Sequence, residues 1–454
     1  MLPAMAIPGA LDGYAGPFEP EFDLAWLSRA ALARLAREYQ MVGHVSDRVL
    51  MPIVGSRFGP EAMNAVAIDE WMGASPVYNE RNRRLLGIEG DGVSAIFKGF
   101  QLDVGAPHQY MDFRYEIEDE TRGWFFLPFC GAYSDVKAVA GDDPKPIVGL
   151  CHHMEDPTFD ATVRAVNPRA RCRPVHRPPL PSGHVGPMCR WEVSIASEAG
   201  TPPTGEAGGI EEREITRAVR ASRAARYEIP PLARAGTGGL DDYAGPFRPD
   251  LAFEDFSQPA LVRICREASL DTHLLVRAAH LAVASRFGEA ARREIARDHF
   301  AGAAPVYGER LRAALGMEGD DLETALKTLQ VDPALPRGYV ELGVACDGPR
   351  RGLVWIEECE ALAEEEPGGW PSWLDDPAGR GLERVVAAVN PRIGCRPVDP
   401  AAAASGGARP VCAWELRLDP DAPALAESPF ARLARSTSVG RFAFRAAPVR
   451  PDPS

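Results

Sequence analysis

The octapeptide LDGYAGPF at residues 11–18 recurs as LDDYAGPF at residues 240–247, an offset of 229 positions. The same offset aligns SRFG at residues 56–59 with SRFG at residues 285–288, and no gap is needed across roughly 120 positions. Agreement that keeps one order over this length predicts a tandem duplication. Further matches are Pro76 with Pro305, Cys130 with Cys359 and, after a six-residue shift, AVNPR at 165–169 with 388–392 and CRWE at 189–192 with CAWE at 412–415.

Each copy reads as helices followed by a small sheet. Apolar residues recur at helical spacing over residues 24–100, and alternation typical of strands begins at Tyr110. A short helix over residues 159–166 precedes two more strand-like pieces. We therefore predict an α+β fold of two tandem units, each a helical subdomain followed by a small antiparallel sheet crossed by a helix. The predicted parts are a first repeat at 11–196, a linker at 197–239, a degenerate second repeat at 240–419 and a disordered tail at 420–454.

Composition limits the partners and the compartment. A chain of 454 residues is long enough for two or three domains, and its formal charge of −14 argues against nucleic acid or an anionic membrane as a partner. No apolar run is long enough to span a membrane, and the N-terminus lacks a secretory signal pattern. Nine cysteines, an odd number, do not suggest a disulfide scaffold. These features predict a cytoplasmic protein with free thiols, and the excess of Arg over Lys is typical of a GC-rich bacterial genome.

One stretch of the first copy concentrates groups that can carry chemistry. Residues 151–156 read Cys-His-His-Met-Glu-Asp, directly before a predicted helix start at Asp156 and Pro157. The second copy does not repeat the Cys-His-His. Residues kept in both copies are expected to serve the shared fold, whereas residues found in one copy only are expected to serve a task of that copy.

A metal site is one interpretation of this stretch. Thiolates and neutral imidazoles are the usual ligands of zinc and also suit iron, although the spacing fits no named zinc motif. His44 and His273 correspond across the copies and are expected to be structural, and Asp69 with Glu70 lacks the Glu-x-x-His spacing of a carboxylate-bridged metal pair. The predicted ligands are drawn from Cys130, Cys151, His152 or His153, and Cys189.

Thiol catalysis is the second interpretation. A cysteine before a helix N-terminus has a lowered pKa, and a nearby imidazole lowers it further. Cys151 would be the nucleophile, with Glu155 and His176 as acid, base or orienting groups. A third interpretation is that the cysteines are core residues and the histidines face solvent in a loop. No phosphate-binding glycine loop or dinucleotide fingerprint is present in the sequence, so no nucleotide cofactor is predicted.

Several short motifs together resemble a known family. Tyr-Ala-Gly-Pro-Phe from Tyr14, Ser-x-x-Ala-Leu from Ser28, Asn-Pro from Asn167, Arg-Pro-Pro from Arg177 and Cys-x-Trp-Glu from Cys189 are similar to the L-2-amino-thiazoline-4-carboxylic acid hydrolase-like family and to a related domain family. The resemblance covers nearly all of each copy. It implies an α+β fold, hydrolysis of a C–N or C–S bond in a cyclic amidine-like ring, and a site at Cys130, Cys151 and Cys189 beside Glu155.

The functional prediction is a metal- or thiol-assisted hydrolase for a small polar heterocyclic or amide-like metabolite, with its site in the first repeat. Zinc or iron would be the cofactor, and the second repeat would complete an internal pseudo-dimer. The alternatives are a non-catalytic module that binds a metal or small ligand and an iron-dependent redox enzyme of specialised metabolism.

Overall fold

Helices and two separate sheets make up the chain. The computed structural model describes residues 9–141, 143–196, 213–231, 238–364, 380–403 and 409–445. Both sheets have four antiparallel strands. The predicted α+β class is confirmed.

No helix within the described residues has both the length and the apolar character needed to cross a membrane.

Two long helices begin the first half. Helix α1, Arg29–Phe58, begins where the Ser28 side chain accepts a hydrogen bond from the backbone N–H of Ala31. It ends at Gly59, whose φ of 90° suits a residue without a Cβ, and α2, Pro60–Leu85, starts directly afterwards. Helix α3, Val93–Phe100, follows. Glycine at the end of a helix followed by proline at the start of the next is the usual sequence signal for such a break.

The first sheet follows these helices. Its strands are β1 (Arg114–Asp119), β2 (Arg122–Leu127), β3 (Ala170–His176) and β4 (Cys189–Ile195), in the order β1-β2-β4-β3. Between β2 and β3 the chain forms α4 (Gly131–Ala140), α5 (Lys145–Val148), a π-helical segment (Gly149–Met154) and α6 (Glu155–Val166). Phe125 of β2 lies opposite Trp191 of β4, and both rings are fully buried against Phe159 of α6.

The predicted helix start at Asp156 is wrong. Helix α5, the π-helical segment and α6 form one continuous helical stretch from Lys145 to Val166, so Cys151 lies inside it. Asp156 pairs with Arg177 and does not cap a helix. Pro157 has the sequence context of a proline in the first turn of a new helix, although here it follows the π-helical segment. This explains the error.

The chain between the halves includes two short helices. These are α7, Glu214–Ala221, and α8, Arg223–Arg226, within the predicted linker. Residues 197–212 and 232–237 of that linker lie outside the described residues.

The second half has its own helices and sheet. Helix α9, Gln258–Leu315, bends at Gly288, whose φ is 83°, so it has the same break as that between α1 and α2. The remaining elements are α10 (Leu322–Gln330), β5 (Leu342–Cys346), β6 (Arg351–Glu357), α11 (Arg380–Ala387), β7 (Ile393–Val398) and β8 (Pro410–Leu418), with the strand order β5-β6-β8-β7.

Each half extends an N-terminal segment onto the other. The Tyr14 hydroxyl donates to the side-chain oxygen of Gln330 at 2.9 Å, and the Tyr243 hydroxyl donates to that of Gln101 at 2.9 Å. Helix α1 packs along α9, and one apolar core runs through both halves. These reciprocal contacts fix the position of α1 and α2, which carry the inner wall of the site described below.

The C-terminal segment packs against the first half. Helices α12, Pro429–Ser436, and α13, Ser438–Arg441, are joined at Thr437. Ser438 donates its backbone N–H to Asp135 and its hydroxyl to the carbonyl oxygen of Gly131 at 3.1 Å. The predicted disorder of the tail is wrong for residues 429–441, and residues 446–454 lie outside the described residues.

Candidate functional site

The predicted cysteines are buried and near one another. Cys130 precedes α4 and its sulfur accepts the backbone N–H of Tyr133 at 3.3 Å. Cys151 lies in the π-helical segment and Cys189 is the first residue of β4. Glu155, Cys130 and Cys189 are all close enough to Cys151 to influence its pKa. The structure therefore brings together three predicted thiols and Glu155.

These thiols are not activated. Burial, and then the charge of Glu155, raises the pKa of Cys130 to about 12 and raises the pKa values of Cys151 and Cys189 as well. The lowered pKa expected for Cys151 is wrong, because a helix interior offers no positive helix end. All nine cysteines are free.

The predicted histidines contact backbone carbonyl oxygens or are exposed. Nε2 of His152 lies 2.8 Å from the carbonyl oxygen of Pro178, and Nε2 of His176 lies 3.0 Å from that of Pro187. A carbonyl can only accept, so each ring donates at Nε2. His153 is exposed. Across the described residues, no three or more His, Cys, Asp or Glu side chains are arranged to hold a metal ion. The structure therefore adds no support to the zinc or iron centre, which stays a prediction.

A different feature dominates the first half, a cavity of about 1010 Å³. It lies between α1 and α2 on one side and the helices from α4 to α6 on the other, with α12 and α13 along its edge. This volume is at the upper end of the range of small-molecule sites, which are largely apolar with a few polar groups. Its apolar lining includes Met51, Met63, Trp71, Met111, Met154 and Phe159.

A pair of carboxyl groups lies at the inner end of this cavity. Asp47 of α1 lines the cavity, and Glu70 of α2 is fully buried behind it. The two carboxyl groups lie close enough to shift each other's pKa, and neither oxygen of Glu70 has a hydrogen-bond partner among the described residues. Burial and the neighbouring Asp47 raise the pKa of Glu70, which favours its protonated form.

Asp47 is the ionised member of the pair. Burial raises its pKa, while Arg48, the indole N–H of Trp71 and Glu70 lower it. The Trp71 Nε1 donates to Asp47 Oδ2 at 3.2 Å. Oδ1 of Asp47 has no hydrogen-bond partner in the described part of the chain. The pair can therefore take up or release a proton at a surface that faces an apolar cavity.

Two further polar residues, His44 and Asp103, line the same cavity as Asp47. His44 lies three residues earlier on α1, on the same helical face, and is only 5% exposed. Its Nε2 lies 3.1 Å from the carbonyl oxygen of Gly105, and burial lowers its pKa to about 3. Asp103 accepts from the Tyr78 hydroxyl at 2.8 Å and from the backbone N–H of Gly105 at 2.7 Å, while burial raises its pKa to about 6.

The cationic side chain of this region is already paired. Arg48 Nε lies 2.7 Å from Oδ2 of Asp135, and its Nη2 lies 3.4 Å from the hydroxyl of Tyr110. Asp135 also accepts the backbone N–H of Ser438. This network fixes the start of α13 at the edge of the cavity.

Glu155 connects the predicted cluster with the cavity. It lines the cavity, whereas Cys130, Cys151 and Cys189 are not among the lining residues. Burial raises the pKa of Glu155 to about 7, against the opposing effect of Arg177. Of the predicted catalytic residues, Glu155 alone is placed where it can meet a molecule in this cavity.

The corresponding region of the second half differs. At an offset of 229, Asp47 corresponds to Val276 and Glu70 to His299. These two residues, with His273 and His280, line a cavity of about 60 Å³. His299 Nε2 lies 2.6 Å from the Ser46 hydroxyl, and its Nδ1 lies 3.2 Å from Nε2 of His280.

Sequence reasoning missed the carboxyl pair, although the signal was present. The same comparison of the two copies that selected Cys151 also separates Asp47 from Val276 and Glu70 from His299. Glu70 was considered only as a metal ligand with Asp69. Asp69 instead pairs with Arg213 and Arg286.

Comparisons with known proteins add no relative, since no family model, no curated protein and no solved structure matches the chain.

Proposed function

We propose that the chain is a duplicated enzyme whose first half acts on a small, largely apolar molecule by acid–base chemistry at Asp47. The observation that carries the proposal is the incompletely bonded Asp47 carboxyl group, which lines a cavity of about 1010 Å³ with apolar walls. Titratable groups with strongly perturbed pKa values in a concave pocket are typical of active sites.

The duplication supports this assignment. Both sheets have the same strand order, and both halves bend at a glycine of positive φ. The carboxyl pair nevertheless occurs in one half only. A structural requirement of the shared fold would apply to both halves, so a function confined to the first half is the simpler explanation. The second half then serves as the scaffold of an internal pseudo-dimer.

Asp47 would act directly and Glu70 through it. Asp47 lines the cavity, whereas Glu70 is fully buried and does not reach it. The Glu70 proton stabilises the Asp47 carboxylate, so Asp47 can accept a proton from a bound molecule or water and return it to a leaving group. Glu70 is therefore a positioning residue.

Hydrolysis remains the predicted reaction class. In such a step Asp47 takes a proton from water as the water oxygen bonds to the substrate carbon. It then gives that proton to the leaving nitrogen or sulfur as the C–N or C–S bond breaks. The apolar walls favour a larger and less polar substrate than the small polar heterocycle predicted from the sequence. Membership of the resembled hydrolase family stays a prediction.

A panel assay with the full-length protein tests the proposal. Apolar esters, amides and cyclic amidines are incubated with wild type, Asp47→Asn and, as a control, Glu118→Gln on the exposed strand β1. We expect at least one compound to be consumed by wild type and Glu118→Gln but not by Asp47→Asn, as followed by mass spectrometry. Consumption that is equal in Asp47→Asn would contradict the role of Asp47. Binding of a compound without any consumption would instead establish the non-catalytic binding module.

A further inference from the structure

The inner end of the cavity has more hydrogen-bond acceptors than donors. The Trp71 indole N–H donates to Asp47, and the Tyr78 hydroxyl donates to Asp103. Both donors are therefore used within the protein.

Acceptors are left over at the same place. His44 donates through Nε2 to the carbonyl oxygen of Gly105, so its Nδ1 carries a lone pair. This Nδ1 and Oδ1 of Asp47 are both without a hydrogen-bond partner among the described residues. His44 is 5% exposed and lines the cavity, so its acceptor is shielded from bulk water. An unsatisfied buried acceptor is unfavourable, and a bound molecule that donates hydrogen bonds can offset this cost.

The cavity wall also carries carboxyl groups without an ion-pair partner. Asp47 and Asp103 line the cavity, and neither forms an ion pair with another described residue. Arg48 is engaged by Asp135. The remaining Lys or Arg side chains along the cavity, Lys145 and Arg441, are exposed.

We infer that the molecule bound in this cavity is an apolar compound with a protonated nitrogen, whose charged end lies beside Asp47 and His44 at the cavity wall. A cationic donor supplies both what the acceptors lack and the missing positive charge. An alcohol would satisfy the acceptors but not the charge, and a carboxylate would satisfy neither. This inference rests on the proposed function, because both place the ligand at Asp47.

Three probes with one alkyl chain test the inference. Octylamine, octanol and octanoate are titrated into the full-length protein at neutral pH and followed by calorimetry. We expect octylamine to bind at least about tenfold more tightly than octanol, because a charged hydrogen bond contributes more than a neutral one. Octanoate is expected to bind most weakly.

Matched variants locate the effect. Asp47→Asn keeps the shape of the side chain, and we expect it to abolish most of the preference for octylamine while octanol binds as before. Glu118→Gln removes one negative charge at an exposed position and should keep the preference, which controls for the attraction of any amine to an acidic protein. Thermal unfolding of each variant checks that it is folded. His44→Phe is a second variant that is expected to lose the preference for octylamine.

The outcomes separate the two proposals. Octanol binding as tightly as octylamine to wild type would overturn the inference and leave the proposed function standing. A preference that persists in both Asp47→Asn and His44→Phe would also overturn it. Failure of every probe to bind would contradict the cavity as a ligand site and thus the proposed function too.

Discussion

The two halves share a framework but differ at one pair of positions on their long helices. In the first half Asp47 and Glu70 are neighbouring carboxyl groups with raised pKa values, beside a cavity of about 1010 Å³. In the second half Val276 and His299 occupy those positions beside a cavity of about 60 Å³. Histidines there bond to one another and to Ser46. The buried carboxyl pair is therefore not needed to stabilise the long helices of this fold.

The cost of the pair supports the same conclusion. Burying carboxyl groups without a cation disfavours the folded state, whereas an apolar or neutral residue avoids this cost. Second-half residues show what this part of the fold accepts when no carboxyl is required. The pair in the first half is therefore best explained by chemistry.

The largest expected difference concerns turnover. Asp47→Asn removes the proton acceptor and should lower kcat/KM for a substrate from the panel by about 10²–10⁴-fold, the usual contribution of general acid–base catalysis. The corresponding change in the second half, Val276→Ala, should leave kcat/KM within about twofold, because surface and scaffold changes of this size are rarely felt at a distant site. Equal losses of kcat/KM in Asp47→Asn and Val276→Ala would contradict the assignment of the site to the first half.

The role of Glu70 can be sharpened by a pH profile. Glu70→Leu removes the neighbouring carboxyl group that lowers the pKa of Asp47, so that pKa should rise. Since Asp47 must be ionised to accept a proton, the acid limb of the kcat/KM profile should move to higher pH by on the order of one unit.

Glu70→Gln is the matched control, because its amide can still donate to Asp47. Its profile should stay close to that of wild type. A uniform loss of activity at every pH in Glu70→Leu would indicate a purely structural role and would count against a positioning effect.

In the second half, His299 should make the folded state less stable as the pH falls. Burial lowers the pKa of His299 from 6.5 to about 4. As the pH falls below 6.5 the unfolded chain binds a proton that the folded chain does not, so stability is lost as the pH falls. His299→Gln should reduce the slope of unfolding free energy against pH by about 1.4 kcal/mol per unit between these values. Denaturant unfolding at a series of pH values measures the slope, and an unchanged slope would show that His299 is protonated when folded.

The smallest effect is expected for the cysteines. Cys130, Cys151, Cys172 and Cys189 are buried, whereas Cys346, Cys359, Cys395 and Cys412 of the second half are half-buried. Alkylation at about pH 8 should therefore label the second half first, since reaction needs an accessible thiolate. Cys151→Ala should change kcat/KM by no more than about twofold, as expected of a core thiol. Rapid labelling of Cys151, read by peptide mass spectrometry, would restore the thiol hypothesis.

The sequence was sufficient for the fold because its signals are local. Alternation in residues 110–127 gives the first hairpin, and the Gly59–Pro60 pair gives the break between α1 and α2. The error at Asp156 arose because a π-helical segment has no sequence signature that separates it from a loop followed by a cap.

The site could be predicted only in part, because it depends on contacts across the chain. The clustering of Cys130, Cys151, Cys189 and Glu155 was predicted, but their burial and raised pKa values follow from packing. Asp47 and Glu70 lie on different helices, 23 positions apart, so their proximity depends on how α1 and α2 pack. The one sequence signal for Asp47 and Glu70 is that their counterparts in the second copy are different residues.

One pair of substitutions tests the central claim that the first half alone keeps a working cavity. Ala67 lines the large cavity and Ala296, at an offset of 229, lines the small one. A phenylalanine at position 67 has room but occupies the ligand space, whereas at position 296 it must overpack the core, which costs about 1–3 kcal/mol.

The measurement is octylamine affinity and unfolding free energy for both variants beside wild type. The account predicts that Ala67→Phe loses binding and keeps its stability, while Ala296→Phe keeps binding and loses stability. Undiminished binding in Ala67→Phe, or loss of binding in Ala296→Phe while that variant remains folded, would contradict it.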